Sequence, residues 1–367
     1  MKVLYTSNIY ENPLPQLESK QSFFPNVCEL KDGTLMASIV IGQAFESVDS
    51  VNYKCFSYDG GKTWTEPQKM LDFTSVNRPV SDYGKITTLN NGDVVIVGYA
   101  YFRDNPRLPL GNPETGGVLD DMVYFAISKD DGKTFSIPKE IKCAWGPHIE
   151  ASAPITELKD GSLITPITGF PDWNGVSHGP MLGRMLRSND GGKSWSDDVI
   201  SMNFNKDVTC FEQRTCQLES GTIVSIGWNE DVTLGERLCN HYTFSTDNGK
   251  TFSEPISTGI MGQASSVCAI GGEKLLALHS VRRDTDKPGV YAYVIDFSNK
   301  TWKIIDEAIV FEPKTPVLRD NKMAEIFAFL KFGQPSAIVL DGGDVLMTHW
   351  HCENGEYKTV ATRISLK

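Results

Sequence analysis

The sequence lacks the features of membrane proteins and of nucleic-acid-binding proteins. Its 367 residues contain no apolar run near the roughly 20 residues needed to cross a bilayer, and Met1–Asn8 has no signal-peptide apolar core. Lys and Arg number 35 against 46 Asp and Glu, and the resulting net charge of −11 repels nucleic acid and anionic lipid. We therefore expect a cytoplasmic protein that binds neither nucleic acid nor membrane.

The chain also has little that indicates a metal or redox centre. Its eight cysteines form no C-x-x-C pair and lie mostly in apolar segments of the sequence. This favours a role as small side chains of the core. His349 and His351 share a face if their segment is a strand, but two ligands do not make a zinc site. We expect neither a metal nor another cofactor.

What the sequence does contain is a short unit repeated six times: an apolar residue, two residues, glycine, one residue and a second apolar residue. Each copy is flanked by apolar segments rich in residues that favour β-strands, so each copy predicts a tight hairpin turn. The centres run from Gly33 to Gly343 at a mean spacing of about 62 residues, so six units fill the chain. The copies occupy 30–35, 89–94, 158–163, 218–223, 270–275, where Glu273 replaces the glycine, and 340–345.

A second repeat follows the first and has the form Ser-x-Asp-x-Gly-x-Thr/Ser-aromatic. Its aspartate can accept hydrogen bonds from backbone amides, its glycine supplies a positive φ, and its final aromatic side chain can pack between neighbouring sheets. A shortened relic stands at Phe297–Trp302. The four full copies are Ser57–Trp64, Ser128–Phe135, Ser188–Trp195 and Ser245–Phe252.

These octamers are similar to the Asp-box, and over its whole length the chain resembles the sialidase-like β-propeller superfamily. The resemblance implies an all-β fold of six four-stranded antiparallel blades. The glycine hairpin then joins the first two strands of each blade, and the Asp-box joins the last two. Only 24 residues follow Gly343, so we expect residues 2–7 to supply the outer strand of the sixth blade and close a single domain over 1–367.

If both turn types lie on one face of the propeller, the innermost strands begin and the second strands end at the opposite face. A pocket at the propeller axis should draw on side chains there. Trp173 and Trp228 suit stacking against a sugar. The predicted substrate-binding residues are Asp82, Arg103, His148, Glu150, Trp173, His178, Arg214, Trp228, His279, Arg282, Arg283, Gln334, His349 and His351.

The resemblance also assigns positions to the sialidase machinery, and three of them have changed. One is the fourth-blade arginine, which is replaced around Trp228 and Asn229. Sialidases hold the substrate carboxylate with three arginines and use a tyrosine nucleophile. The first arginine position is occupied by Phe23, and the tyrosine position by Gln334. The fifth-blade arginine is matched by Arg282 or Arg283. We therefore do not expect typical sialidase action.

Two carboxylates of that machinery remain. The glutamate that activates the tyrosine is matched by Glu212, and the acid/base residue by Glu46, with Asp49 as the nearby alternative. Two carboxylates facing each other across a pocket can act as general acid and general base on a glycosidic bond. We therefore predict a glycoside hydrolase with a carbohydrate substrate.

Two other functions fit the same residues. A uronate-type glycan lyase needs a base and a cation to neutralise the substrate carboxylate, which His148, His178, His279 or His349 and Arg282 or Arg283 can supply. A non-catalytic sugar-binding propeller needs only the aromatic and polar pocket. The Pro/Gly-rich insertion 103–117 is suited to cover the pocket or to join subunits, and the oligomeric state is not indicated.

Overall fold

A computed structural model describes residues 1–283, 285–314 and 330–367. Strands organised in six antiparallel sheets dominate these residues, and the only helical turn among them is a 3₁₀ turn at Thr74–Val76. The six sheets form a six-bladed β-propeller, which confirms the predicted fold class. No helix in the described part of the chain is both long and apolar enough to span a membrane.

Strand β1 (Lys2–Tyr10) precedes the first blade, and the next thirteen strands build blades 1 to 3. Blade 1 contains β2 (Gln21–Glu29), β3 (Leu35–Gly42), β4 (Val51–Ser57) and β5 (Gln68–Lys69). Blade 2 contains β6 (Val80–Thr88), β7 (Val94–Phe102), β8 (Asp121–Ser128) and β9 (Lys139–Ile141). Blade 3 contains β10 (Ile149–Glu150), β11 (Thr156–Glu157), β12 (Leu163–Gly169), β13 (Gly183–Ser188) and β14 (Ser196–Met202).

Blades 4 to 6 follow in the same antiparallel order. Blade 4 contains β15 (Phe211–Gln217), β16 (Ile223–Asp231), β17 (Glu236–Ser245) and β18 (Ile256–Ser257). Blade 5 contains β19 (Ser265–Ala269), β20 (Lys274–Val281), β21 (Gly289–Asp296) and β22 (Lys303–Phe311). Blade 6 contains β23 (Phe332–Val339), β24 (Val345–Glu353) and β25 (Glu356–Ser365).

The N-terminal strand completes the sixth blade, as predicted. β1 pairs antiparallel with β25, with Lys2 opposite Ser365 and Thr6 opposite Thr362. The strand extends beyond the predicted residues 2–7 to Tyr10. Because the first and last strands of the described chain lie in one sheet, separating them would open the ring of blades.

The Asp-box turns have the predicted chemistry. In the third box, Asp190 Oδ1 accepts hydrogen bonds from the backbone N–H groups of Lys193 (3.0 Å) and Ser194 (2.9 Å). Two consecutive residues, Gly191 and Gly192, have φ values of 72° and 87°. Both positions therefore require a left-handed backbone. The second and fourth boxes carry Asp-Gly and Asn-Gly at these two positions, and these residue types tolerate a positive φ best.

The core lies between neighbouring blades. Trp195 at the end of the third box packs on Phe125 of blade 2, with ring centroids 5.5 Å apart. Trp302 of the relic stacks on Tyr242 of blade 4 at 5.1 Å. All eight cysteines are free and buried or half-buried, which confirms their interpretation as core side chains.

Candidate functional site

Three innermost strands begin with the same irregularity. The pairing register shifts near the start of β2, β15 and β23, and in each case a non-glycine residue has a left-handed backbone. A bulge of this kind turns a side chain away from the regular alternation of a strand. The three residues are Phe24 (φ 52°), Glu212 (φ 46°) and Gln334 (φ 43°).

Glu212 is held by two N–H donors. Its Oε2 accepts a hydrogen bond from Trp228 Nε1 at 2.7 Å, and its Oε1 accepts one from Gln334 Nε2. Lys85 Nζ donates to Gln334 Oε1 at 3.4 Å. Lys85 and Glu212 thus contact the two ends of the Gln334 amide, and its NH₂ group is directed toward Glu212.

A second carboxylate, Glu150, supports Glu212 from blade 3. Its Oε2 accepts the backbone N–H of Glu212 at 3.0 Å, and the hydroxyl of Ser152 donates to its Oε1. Arg214 Nη1 donates to Ser152 Oγ at 3.1 Å. Burial, and then repulsion by Glu212, raise the pKa of Glu150, so this side chain favours its neutral form more than a solvated glutamate does.

Glu46 reaches the same site from the loop between β3 and β4. Burial raises its pKa to about 7; the guanidinium of Arg103 opposes this rise and the carboxylate of Glu212 adds to it. Glu46 and Glu212 therefore interact electrostatically.

Four buried cations surround these carboxylates: Lys85, Arg103, Arg214 and Arg282. Within the described residues none of them forms a salt bridge. Lys85 and Arg282 donate instead to backbone carbonyl groups, those of Phe24 (2.6 Å) and Phe332. Burial holds the pKa of Lys85 well below its usual value and lowers that of Arg282 to about 9. Each cation nevertheless interacts electrostatically with a carboxylate of the site: Arg103 with Glu46, Arg214 with Glu150, and Lys85 and Arg282 with Glu212.

The opposite side of the site is aromatic. Phe23, at the position that the resemblance gives to an arginine, is fully buried. Its ring lies 5.1 Å from that of Phe45 and 5.9 Å from that of Trp350. Phe23 is therefore part of a packed aromatic cluster.

Two residues of the site, Lys85 and Tyr99, were not predicted from the sequence because they lie inside strands. Lys85 belongs to β6, and its only sequence signal is a lysine in an otherwise apolar strand. Tyr99 lies in β7, and its pKa is raised far above the usual value by burial, then by Glu150, Glu46 and Glu212 in that order. Tyr99 is thus within electrostatic reach of all three carboxylates, and its hydroxyl stays protonated.

Asp49 and Asp82 lie apart from this group. Asp49 is exposed, and its Oδ1 accepts hydrogen bonds from Ser47 Oγ (2.6 Å) and the Gln43 backbone (3.1 Å), so it closes its own loop. Asp82 is buried between blades 1 and 2, where Asn52 Nδ2 donates to its Oδ2 at 2.6 Å. Asp49 is therefore engaged within its own loop, whereas Glu46 interacts electrostatically with Glu212.

Two of the predicted histidines form a pair beside the site. His148 Nε2 lies 2.9 Å from Asp120 Oδ1, and His178 Nε2 lies 3.3 Å from Asp172 Oδ2. The two imidazole rings stack with centroids 5.8 Å apart. His148 is two residues from Glu150 along the chain, so this pair borders the carboxylates on the side of blade 3.

The other predicted histidines are buried among aromatic rings. His279 Nδ1 lies 2.9 Å from Asn240 Oδ1, and burial lowers the pKa of His279 to about 3. His349 and His351 pack on Phe311 with ring centroids at 4.4 and 4.9 Å, and burial lowers the pKa of both. In the described ranges no group of three or more His, Cys, Asp and Glu is arranged to hold a metal ion.

The insertion 103–117 crosses from blade 2 to blade 3. Its Asn112 Nδ2 and Thr115 Oγ1 donate to the carbonyl oxygen of Trp173 at 2.9 and 2.8 Å. A Cβ on Gly117 would lie 1.7 Å from the carbonyl oxygen of Asp172, so this close approach requires glycine. Trp173 thus anchors the insertion through its backbone.

The six antiparallel blades and their Asp-box turns together define a six-bladed β-propeller. No family model matches the sequence. A protein of unknown function from Dyadobacter fermentans DSM 18053 is similar over 100% of this chain and 99% of its own, with 18% identity and a TM-score of 0.78. At this identity, the likeness concerns the fold.

Two sialidases have the same architecture. The Hadza microbial sialidase Hz136 is 14% identical, with a TM-score of 0.68, over 98% of this chain and 68% of its own. The NanB sialidase from Streptococcus pneumoniae is 12% identical, with a TM-score of 0.65, over 98% of this chain and 70% of its own.

Proposed function

We propose that this protein is a glycoside hydrolase that cleaves an oligosaccharide or glycoconjugate at the axial site and is not a typical sialidase. The observation that carries the proposal is the pair formed by Glu46 and Glu212. They interact across the site, yet their surroundings differ: one is desolvated and the other is fixed by N–H donors. Such a difference between two neighbouring carboxyl groups is what separates an acid from a base.

Glu46 takes the role of general acid. With a pKa of about 7, a large share of its carboxyl groups carry the proton near neutral pH. That proton passes to the glycosidic oxygen as the bond to the anomeric carbon breaks. Arg103 then faces the carboxylate that Glu46 becomes.

Glu212 takes the role of base or nucleophile. Trp228 and Gln334 hold both of its oxygens as acceptors, so the carboxylate is oriented before substrate arrives. It either deprotonates a water molecule or attacks the anomeric carbon itself, depending on its separation from Glu46 across a bound sugar. The amide of Gln334 cannot replace the sialidase tyrosine as nucleophile.

The second candidate is a uronate-type glycan lyase, and the four buried cations without salt bridges favour it. A carboxylate on the substrate would compensate their charge and be polarised for removal of the α proton. His148, oriented by Asp120, is the histidine nearest the carboxylates in the chain and is the candidate base.

Mass spectrometry of a broad oligosaccharide panel tests the proposal. Neutral, sialylated and uronate-containing glycans are incubated with the protein, and a Glu46→Gln/Glu212→Gln double variant purified in the same way serves as the blank. We expect products whose summed mass exceeds that of the substrate by one water. Products without added water would replace the hydrolase with the lyase, and binding without cleavage would leave only a sugar-binding propeller.

A further inference from the structure

The bulge that carries Glu212 interrupts the pairing between β15 and β16. Phe211 lies opposite Trp228 and Arg214 lies opposite Ile226, so β15 contains one residue more than its partner over this stretch. The φ of 46° at Glu212 is unfavourable for any residue with a Cβ. A backbone of this kind persists only where its surroundings hold it.

Side chains of blades 3 and 4 hold the backbone of this bulge at two points. The N–H of Glu212 donates to Glu150 Oε2 at 3.0 Å, and the carbonyl oxygen of Gln213 accepts a hydrogen bond from Arg214 Nη1 at 2.8 Å. Ser152 connects the two side chains, since its hydroxyl donates to Glu150 Oε1 and accepts a hydrogen bond from Arg214 Nη1. One N–H and one carbonyl group of the bulge are therefore hydrogen-bonded to a single connected group of side chains.

Glu150 itself is oriented by the protein. Each of its carboxylate oxygens accepts a hydrogen bond from a protein donor, and the residue is only 4% exposed. The sequence predicted Glu150 as a substrate-binding residue. Its burial and its two donors fit a role in the support of Glu212 better than a contact with substrate.

The carboxylate of Glu212 depends on the position of its own backbone. Its Oε2 meets the indole N–H of Trp228 at 2.7 Å, and its Oε1 meets the amide of Gln334. These two donors lie on different strands, β16 and β23. A shift of the Glu212 backbone would therefore move the carboxylate away from at least one of them.

We infer that Glu150 is a positioning residue for Glu212: it accepts the backbone N–H of Glu212 and so holds the left-handed backbone that directs the carboxylate to Trp228 and Gln334. The inference rests on the proposed function, in which Glu212 is the base or nucleophile. It adds that the rate of the reaction depends on the reach of the Glu150 side chain and not on its charge.

Two substitutions separate the reach of Glu150 from its charge. Glu150→Asp keeps the carboxyl group but is one methylene shorter, so its oxygens no longer meet the N–H of Glu212. Glu150→Gln keeps the length, and its amide oxygen can still accept that N–H while its NH₂ group faces Ser152 Oγ. Glu157→Asp is the matched control, because Glu157 Oε2 accepts the backbone N–H of Asn90 at 2.6 Å, at the glycine hairpin of blade 2.

The indole N–H of Trp228 reports the position of the Glu212 carboxylate without any substrate, because a proton donated to a carboxylate resonates downfield. In protein labelled with isotopic tryptophan, Trp228→Phe assigns the resonance among the seven tryptophans, and Glu212→Ala gives its position without the carboxylate. We expect Glu150→Asp to move the resonance upfield, toward its position in Glu212→Ala. In Glu150→Gln and Glu157→Asp it should stay close to its wild-type position.

Kinetics on a glycan that the wild-type protein cleaves give the second readout. Glu150→Asp should lower kcat by about 10–10²-fold, because a misplacement of about 1 Å in a reacting group can cost that much rate. KM should change little, since the lost interaction orients a reacting group and does not bind substrate. Glu150→Gln should retain most of kcat, and thermal melting checks that all variants fold.

A folded Glu150→Asp variant that keeps the wild-type resonance of Trp228 and the wild-type kcat would overturn the positioning role. A Glu150→Gln variant that loses as much kcat as Glu150→Asp would also overturn it, because the charge of Glu150 would then matter and not its reach. If the resonance moves in Glu150→Asp but the wild-type protein cleaves no glycan, the hydrolase is overturned and the positioning of Glu212 by Glu150 stands.

Discussion

Glu46 is subject to two opposing influences at the scale of the single residue. Burial favours its neutral form and raises its pKa to about 7, whereas the nearby Arg103 favours the carboxylate. Arg103 is itself buried, and its Nε and Nη1 atoms have no hydrogen-bond partner in the described structure. Its Nη2 donates to the carbonyl oxygen of Leu108 at 3.5 Å, and the cation acts on Glu46 by its charge.

The pH dependence of catalysis should follow this balance. If Glu46 is the general acid, kcat/KM falls as pH rises through about 7, because the carboxyl group loses the proton it must donate. Replacing Arg103 by Gln removes the charge that favours the carboxylate, so the pKa of Glu46 rises and the alkaline limb moves to higher pH. A pH profile of kcat/KM for wild type and Arg103→Gln measures the shift.

Arg107→Gln is the matched control, since Arg107 is an exposed arginine of the same insertion. Its alkaline limb should coincide with that of wild type. If the alkaline limb of the kcat/KM profile moves to lower pH in Arg103→Gln, or does not move, Arg103 does not stabilise the ionised form of Glu46.

At the scale of the element, the Asp-box depends on its first serine as much as on its aspartate. Ser188 is buried; its Oγ donates to Asp190 Oδ1 at 2.8 Å and accepts the backbone N–H of Gly192 at 2.8 Å. The same pair of hydrogen bonds recurs at Ser57, Ser128 and Ser245. The hydroxyl thus connects the two ends of each turn.

Ser188→Ala should lower the free energy of unfolding by about 1–2 kcal/mol, because the N–H of Gly192 loses its acceptor inside the turn. Urea unfolding followed by fluorescence measures the change. Ser177→Ala, in an exposed loop of the same blade, is the control. Equal midpoints for the two variants would mean that the serine contributes nothing to the turn.

At the scale of the whole molecule, the architecture could be predicted because its signals are local. A glycine that needs a positive φ and an aspartate that accepts amide hydrogen bonds specify their turns wherever they occur. The resemblance of the second repeat to the Asp-box then implied that the six units are propeller blades. The sixth unit is too short for four strands, so the N-terminal segment was predicted to supply the outer strand that closes the ring of blades. No long-range contact had to be known for either prediction.

The site was predictable only in part, because its members meet through bulges and tertiary packing. The bulge that turns Glu212 toward Gln334 leaves no glycine or turn motif in the sequence. Lys85 and Tyr99 lie within ordinary strands, and only the closed ring places them beside carboxylates of other blades. Conversely, His279, His349 and His351 lie near the predicted loops but are buried between aromatic rings of the blades.

The measurement that tests the central claim most directly is the kcat/KM of Glu46→Gln and of Glu212→Gln on a glycan that the wild-type protein cleaves. Each substitution keeps the size of the side chain and removes its acid/base function. We predict that each lowers kcat/KM by about 10²–10⁴-fold, whereas Glu219→Gln in an exposed turn of blade 4 leaves it unchanged. Cleavage at the wild-type rate by either glutamine variant would contradict the account.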